Sequence, residues 1–325
     1  MPPSEPDITD PPPGVVAETA RLNSVLDEVV PAKATGNNLL IGTWNLRALG
    51  GLTKAWETAE GASPKRNFAD VAHIATIISR FDVVAVQEVR GDLRALRHVF
   101  KALGDHWAFV MTDVTKGSKG NDERLAFLFD TRRVQVSGLA CELVVPVETD
   151  PEKIKPGAFN RQFARTPYAV SFTLSGKTFI LVTLHVDYGK QAADRIPELG
   201  AIADWMANWA EQEEEWNHNL IALGDFNIDR SGDPLYDAFT STGLTPAPQL
   251  NDVSRTIFDE PGKGHFYDQI AWFEKGAANR PVLSLTCSAA GTFDFVPELQ
   301  GHHSLEDLSW HISDHYPLWV EFSLS

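Results

Sequence analysis

Eight polar side chains of this 325-residue chain each stand at or just past a short apolar run: Asn45, Glu88, His185, Asp225, Asn227, Asp268, Asp314 and His315. The densest grouping is Leu220-Ile221-Ala222-Leu223-Gly224-Asp225-Phe226-Asn227-Ile228-Asp229. Its apolar start predicts a buried strand that the glycine ends. Side chains at i and i+2 of an extended or tightly turned backbone leave on one side. Asp225 could therefore accept a proton or hold a cation while Asn227 donates hydrogen bonds to an anion. Asp and Asn are also common turn formers, so a plain strand-end turn is the competing reading. Glu88 stands just past Val83-Val84-Ala85-Val86, with one residue between, where a carboxylate needs a partner or a metal. Asn45 can cap or turn the chain, His185 can be a satisfied core histidine, and Asp268 can be an ordinary turn residue. Ser313-Asp314-His315-Tyr316-Pro317 sets a carboxylate beside an imidazole, an arrangement that suits an oriented base.

Taken together, these groups are carboxylates, amides and two histidines, with no cysteine among them. Oxygen-rich sites suit hard cations such as Mg2+ or Mn2+ rather than zinc. Two histidines at opposite ends of a substrate could take a proton from water and return one to a leaving oxygen. With a cation neutralising the non-bridging oxygens, that apparatus hydrolyses a phosphate ester. A Ser-His-Asp hydrolase is disfavoured because no Gly-x-Ser-x-Gly elbow occurs, and there is no Walker loop.

Such groups need a scaffold that delivers strand ends to one place. Strands are expected over residues 39–45, 81–86, 107–112, 124–130, 133–145, 168–174, 178–185, 219–223, 269–273, 282–287 and 316–323. Helices are expected over 68–78, 92–103, 191–215 and 234–241. The acidic run Glu213-Glu214-Glu215 reads as a solvated face. Residues 146–166 form a long loop of the kind that is usually functional or mobile. The two-halved order of β-rich segments and helices fits a two-sheet sandwich with helices on its outer faces, since each sheet buries one face on the other. Residues 1–14, rich in proline and acid, read as disordered. Val15, Leu22, Leu26, Val29 and Val30 then recur at helical spacing, with Thr19 in the gap. Residues 1–38 are thus read as a flexible leader carrying an amphipathic helix over 15–30, and residues 39–325 as a single catalytic domain.

The composition, 43% hydrophobic and 22% charged, is that of a soluble globular protein. No apolar run reaches the roughly 20 residues of a membrane span, and the amino terminus lacks the features of a secretory signal. The chain therefore reads as cytoplasmic, with secretion left open for a trimmed sequence. Two cysteines, Cys141 and Cys287, are no disulfide framework, and nothing decides whether they pair. The formal charge of −16 argues against tight non-specific nucleic-acid binding by charge alone. A bound divalent cation would supply the missing positive charge locally.

The motifs Trp44-Asn45, Gln87-Glu88-Val89-Arg90, Thr183-Leu184-His185, Gly224-Asp225-Phe226-Asn227, Tyr267-Asp268-Gln269-Ile270 and Ser313-Asp314-His315-Tyr316-Pro317, in this order, resemble the endonuclease/exonuclease/phosphatase superfamily. Within it the likeness leans to the deoxyribonuclease I-like branch, supported by Phe163-Ala164-Arg165-Thr166-Pro167 and by His185. The resemblance implies an α/β (α+β) four-layer sandwich, two packed, mainly antiparallel β-sheets flanked by helices. It further implies a metal-dependent endonuclease acting on DNA, with Mg2+ or Mn2+, and Ca2+ as the alternative structural or supporting ion. Glu88 would be the main metal ligand, supported by Asn45 and Asp314. Asp225 and Asn227 would contact a second metal, the attacking water or the phosphate. Asp268–His315 and Glu123–His185 would be the carboxylate–histidine pairs of the general base and acid. Arg90 would reach into a nucleic-acid groove and Arg165 would hold a phosphate. The calcium- and disulfide-stabilised features of the secreted enzyme cannot be recognised. Two further features stay open. The 116–121 loop could touch a phosphate backbone or be a surface turn, and His302, His303 and His311 could form an accessory metal site or be solvated loop histidines. The rival readings are a phosphoesterase of the same fold acting on a phospholipid headgroup, inositol phosphate or nucleotide, and a catalytically silent binding module.

Overall fold

The computed structural model describes residues 5–115, 121–144, 149, 162–211, 219–260, 263–275, 283–301 and 303–324. The 116–120 segment, Glu213-Glu214-Glu215, most of the 146–166 loop and His302 lie outside them. Six strands form one sheet: β1 (Asn38–Leu49), β2 (Val83–Arg90), β3 (Trp107–Met111), β4 (Glu123–Asp130), β11 (Thr286–Thr292) and β12 (Leu318–Ser323), in the order β11-β12-β1-β2-β4-β3. Six more form the second: β5 (Gln135–Glu142), β6 (Tyr168–Leu174), β7 (Lys177–His185), β8 (Leu220–Ile228), β9 (Thr245–Pro246) and β10 (Phe266–Trp272), in the order β5-β6-β7-β8-β10-β9.

Alternation along the strands sorts the side chains into layers. Leu39 and Ile41 of β1 face the space between the sheets, with Val83, Ala85, Phe127, Phe172, Leu181, Ile221 and Leu223. Leu40 and Trp44 point the other way, against Phe68, Val71, Ile74 and Ile77 of α2 (Phe68–Ile78) and Leu96 and Val99 of α3 (Arg94–Leu103). On the far side, Val182, Leu184, Ala222 and Phe226 pack on α4 (Ile196–Ala210) and α5 (Pro234–Thr240). The result is helices, sheet, sheet, helices, a four-layer sandwich. Each fully buried phenylalanine between the sheets contributes about 1.5–3 kcal/mol of transfer free energy.

Two strand pairs are parallel, β1 with β2 and β7 with β8, one at the heart of each sheet. Parallel neighbours end at the same edge. The strands beside them, β12 against β1 and β10 against β8, run antiparallel and so begin at that edge. The topology thus gathers the ends of β1, β2, β7 and β8 and the starts of β10 and β12 along one rim. Every strand-end motif singled out from the sequence lies there.

Several elements differ from expectation. The strand thought to end at Gly224 runs on to Ile228, and β1 continues past Asn45 to Leu49. The strand expected over 282–287 lies instead at Thr286–Thr292. The loop expected around His303 and His311 contains α6 (Val296–Leu299) and α7 (Leu305–His311), helices too short to leave a clear periodic signature. Of the residues expected to be disordered at the start, those from 5 onward are described and run against the domain, with Ile8 only 3% exposed. They lead into α1 (Pro13–Val29), whose Leu22 and Leu26 join the core behind α2. Val29 is the exception in its stripe, 40% exposed, because the helix ends there and Val30 turns inward in its place. Cys141 and Cys287 are both free. Among the described residues no helix is long and apolar enough to cross a membrane.

Candidate active site

Gly224 is what allows β8 to carry polar groups into the rim. Its φ of +139° is open to glycine alone, and a Cβ there would lie 2.1 Å from the Leu184 carbonyl oxygen of β7. The bend turns Asp225 toward the other sheet, where it is buried. Asp225 Oδ1 accepts from the Asn227 backbone N–H at 2.9 Å, and Asn227, with φ +51°, donates its Nδ2 to Val186 O at 2.8 Å. Asp225 Oδ2 is left for the site. Asn45 Nδ2 donates to it at 3.1 Å, and the Nε2 atoms of His185 and His315 lie 3.5 and 3.9 Å away.

The first sheet contributes Asn45 and Glu88. A register shift between β1 and β2 after Asn45 puts Glu88 at φ +62°, a left-handed conformation that costs a non-glycine residue about 1–3 kcal/mol. That bulge aims its carboxylate back across β1. Glu88 Oε2 accepts from the Ala48 backbone N–H at 2.9 Å and Oε1 from Asn45 Nδ2 at 3.2 Å. Asn45 Oδ1 is buried with no hydrogen-bond partner among the described residues. An unpaired amide oxygen beside a carboxylate is a pair of oxygen donors that suits a hard cation. Asp314, expected to complete it, stands at the same rim in an ion pair with Arg47 Nη1 at 3.4 Å. Arg66 ties the two segments together, donating to the carbonyls of Arg47, Ala48, His311 and Ile312.

Both expected carboxylate–histidine pairs are brought together, on opposite sides of Asp225. His315 Nδ1 lies 2.6 Å from Asp268 Oδ2, both buried. The backbone holds this pair too: Trp44 Nε1 donates to His315 O at 2.7 Å, and Ser313 Oγ accepts from His315 N at 3.1 Å. His185 Nδ1 lies farther from its partner, 3.4 Å from Glu123 Oε2. Glu123, 1% exposed, is engaged by other donors: Arg165 Nε at 2.5 Å, Asn121 Nδ2 at 2.6 Å and Arg90 Nη2 at 3.2 Å.

The electrostatics follow this geometry. Burial opposes charge on Glu123, but His185, Arg165 and Arg90 outweigh it and bring its pKa down to about 2. Burial also opposes charge on Asp225, and the two imidazoles with the Asn227 and Asn45 hydrogen bonds still hold it below the usual carboxylate range. Burial likewise works against a charge on His315, yet the Asp268 carboxylate, with Asp225 and Asp314 beyond, raises it well above an ordinary histidine.

The remaining expected groups are placed less directly. Arg165 keeps one buried nitrogen, Nη1, without a partner among the described residues, a donor fit for an anion. Arg90, half-buried, lies between Glu123 and Glu88 and donates to Asn121 O, so it lines the rim. Two rim residues escaped the sequence reading. Arg47 stacks on exposed Trp310 at 3.9 Å; its place two residues after Asn45 on β1 was the available signal. Tyr188, 56% exposed, meets Tyr267 edge-on at 6.5 Å, and Tyr267 lies 6.0 Å from the His315 ring. Tyr188 follows the strand that delivers His185 and carries no periodic cue of its own.

Comparison with known proteins bears on the family and the fold. A family model described as Endonuclease/Exonuclease/phosphatase family matches residues 42–287. A protein named deoxyribonuclease from Thioalkalivibrio sp. (strain K90mix) is 26% identical over 310 residues, covering 90% of this chain and 73% of its own. Deoxyribonuclease-1 of Bos taurus is 24% identical over 319 residues, covering 92% and 98%. Among solved structures, a mannosyl-6-phosphatase of Bacteroides thetaiotaomicron superposes with a TM-score of 0.55 at 19% identity, covering 87% of this chain and 99% of its own. That likeness extends to the fold.

Proposed function

The chain belongs to the endonuclease/exonuclease/phosphatase family of phosphoester hydrolases, and from that premise we propose that it is a divalent-metal-dependent phosphodiesterase, an endonuclease that hydrolyses DNA. One observation carries the reading. Two imidazoles converge on Asp225 Oδ2, each with a carboxylate behind its Nδ1. A phosphodiester needs one proton taken from the attacking water and one returned to the leaving oxygen, in line across phosphorus. His315 and His185, whose Nε2 atoms lie 3.9 and 3.5 Å from Asp225 Oδ2, would serve as the two groups of such a path. Asp268 would fix the tautomer of His315, Glu123 would set the potential around His185, and Asp225 with Asn45 would orient the water or a phosphate oxygen between them.

Asn45 and Glu88, with Asp314 close by, would hold Mg2+ or Mn2+. The ion would neutralise negative charge on the non-bridging phosphate oxygens. Arg165 Nη1 and Arg90 would hold flanking phosphates, which position the backbone without reading its sequence. The two relatives that bear the name deoxyribonuclease support DNA over other phosphodiesters. The charge of −16 favours a second reading, a small phosphoester substrate that needs no basic surface.

The two separate in one set of assays. Plasmid nicking, bis-nitrophenyl phosphate and headgroup lipids are each followed with Mg2+, Mn2+, Ca2+ or chelator. The nuclease reading expects nicked plasmid with Mg2+ or Mn2+ and none with chelator. Intact plasmid under every metal, with turnover of a small phosphoester, overturns it in favour of the second.

A further inference from the structure

Away from the catalytic rim, His303, Asp307 and His311 are the one group among the described residues whose ligand atoms converge as a metal site would require, all within 4.8 Å of one another. The short helix α7 explains the convergence. Asp307 and His311 are one turn apart on one face, and His303 precedes Asp307 by the same interval. Ser304 caps the helix by accepting from Asp307 N at 3.1 Å, which fixes the first turn. His303 Nδ1 lies 2.6 Å from Asp307 Oδ2, and His311 Nε2 lies 3.7 Å from the same oxygen. The two rings are 4.4 Å apart.

Two supports behind these side chains make more of the cluster than a chance grouping. His311 Nδ1 lies 2.7 Å from Asp70 Oδ2, and that oxygen also accepts from Asn67 N at 2.8 Å in the capping box that starts α2. A carboxylate behind an imidazole fixes its tautomer and aims its other nitrogen, the usual support of a metal-binding histidine. Asp307 Oδ1 is paired with Lys65, so Oδ2 alone is turned to the histidines. The cluster lines a cavity of about 670 Å³, shared with Thr58, Glu306 and Trp310, which leaves room for water as a further ligand.

We propose that His303, Asp307 and His311 form a second metal site, separate from the oxygen-lined catalytic rim, that takes a zinc-class divalent ion and clamps α7 to α2. Two imidazoles and one carboxylate oxygen suit zinc or its first-row neighbours, whereas Mg2+ and Ca2+ prefer all-oxygen shells. Ligands about 2.0–2.2 Å from a tetrahedral zinc are themselves roughly 3.4 Å apart. Closing the cluster on an ion therefore moves side chains by about an ångström, with the His303–Asp307 hydrogen bond opening to admit the ion. The site is independent of which phosphoester the catalytic rim cuts.

The test uses the full chain, stripped with chelator and returned to excess Mg2+, then titrated with Zn2+ or Co2+. The expected result is one equivalent bound, visible absorption bands of four-coordinate Co2+, and a higher thermal unfolding temperature with Zn2+. His303→Ala, at a partly exposed position, should weaken that equivalent by about 100-fold and keep Mg2+-supported activity. Asp70→Asn should weaken it by about 10–100-fold, the usual effect of losing such a support. Glu88→Gln, which alters the catalytic rim, should leave it intact. No bound equivalent, or one that persists in His303→Ala, overturns the proposal, as does one that vanishes in Glu88→Gln. Unchanged affinity in Asp70→Asn refutes the clamp to α2.

Discussion

The two carboxylate–histidine pairs that flank Asp225 look equivalent in the sequence and are not equivalent in space. Asp268 gives one oxygen to His315 at 2.6 Å, and its other oxygen has no hydrogen-bond partner among the described residues. Glu123 is held by Arg165, Asn121 and Arg90 before His185 comes into range at 3.4 Å. Asp268 is therefore committed to orienting one imidazole. Glu123 is the hub of a charge network that only leans on the other. A hydrogen-bonded carboxylate sets tautomer and direction, whereas a shared one mainly sets the local potential. The first pair should then be sensitive to the loss of either member, and the second should tolerate the loss of its carboxylate better than the loss of its imidazole.

The largest effects are expected at the committed pair. His315→Ala should lower the rate by about 10²-fold or more with folding largely intact, and Asp268→Asn should come close to it, because the amide reverses the hydrogen bond that sets the imidazole tautomer. Rates on plasmid with Mg2+, checked against unchanged circular dichroism, measure both. Full activity in either variant removes the proposed role of the pair. His185→Ala should cost about 10²-fold as well. Glu123→Gln should cost less, on the order of tenfold, since Glu123 stands 3.4 Å from His185 Nδ1 and is held mainly by Arg165, Asn121 and Arg90. Equal losses in His185→Ala and Glu123→Gln would erase the distinction between the pairs.

Arg165 tests the hub from the other side. Its Nε holds Glu123 while its Nη1 is unpaired, so one guanidinium serves both the network and the proposed phosphate. Arg165→Lys keeps the charge and loses the fork. A KM for DNA raised about tenfold, with kcat changed less, is expected. A kcat effect with unchanged KM would place Arg165 wholly within the His185 side of the site.

How far the sequence foretold this follows the same division. Short-range signals carried well. Tyr168–Leu174 was expected to the residue, and each strand-end motif reached the rim because strand direction follows from where apolar runs stop. What depends on a single backbone angle did not carry. Nothing local says that β8 passes through Gly224 at φ +139° or that Glu88 sits at φ +62°, since both angles come from neighbouring strands. Glu123 could be named through resemblance, but its capture by Arg165 joins residues 42 positions apart. Arg47 and Tyr188 were missed because only the assembled rim makes them neighbours of the site. α7 was missed because seven residues hold too few turns for a periodic pattern.

A last prediction concerns Glu123 as charge alone, read in stability rather than rate. Its folded pKa of about 2 lies below its ordinary value of 4.5, so its ionised form stabilises the folded chain. That contribution is present in full above pH 4.5 and is lost as pH falls toward 2. A shift of this size corresponds to about 3 kcal/mol, at about 1.36 kcal/mol for each pH unit. Urea unfolding of the native chain and of Glu123→Gln, from pH 6 down to pH 2.5, isolates it, because other carboxylates titrate alike in both. The stability gap between the two should be widest near pH 6 and narrow steadily below pH 4.5. A gap that stayed constant across that range would mean that Glu123 titrates in the fold as it does in the unfolded chain. Arg165 and Arg90 would then give its charge no net stabilisation, and the His185 pair would differ from the His315 pair in distance only.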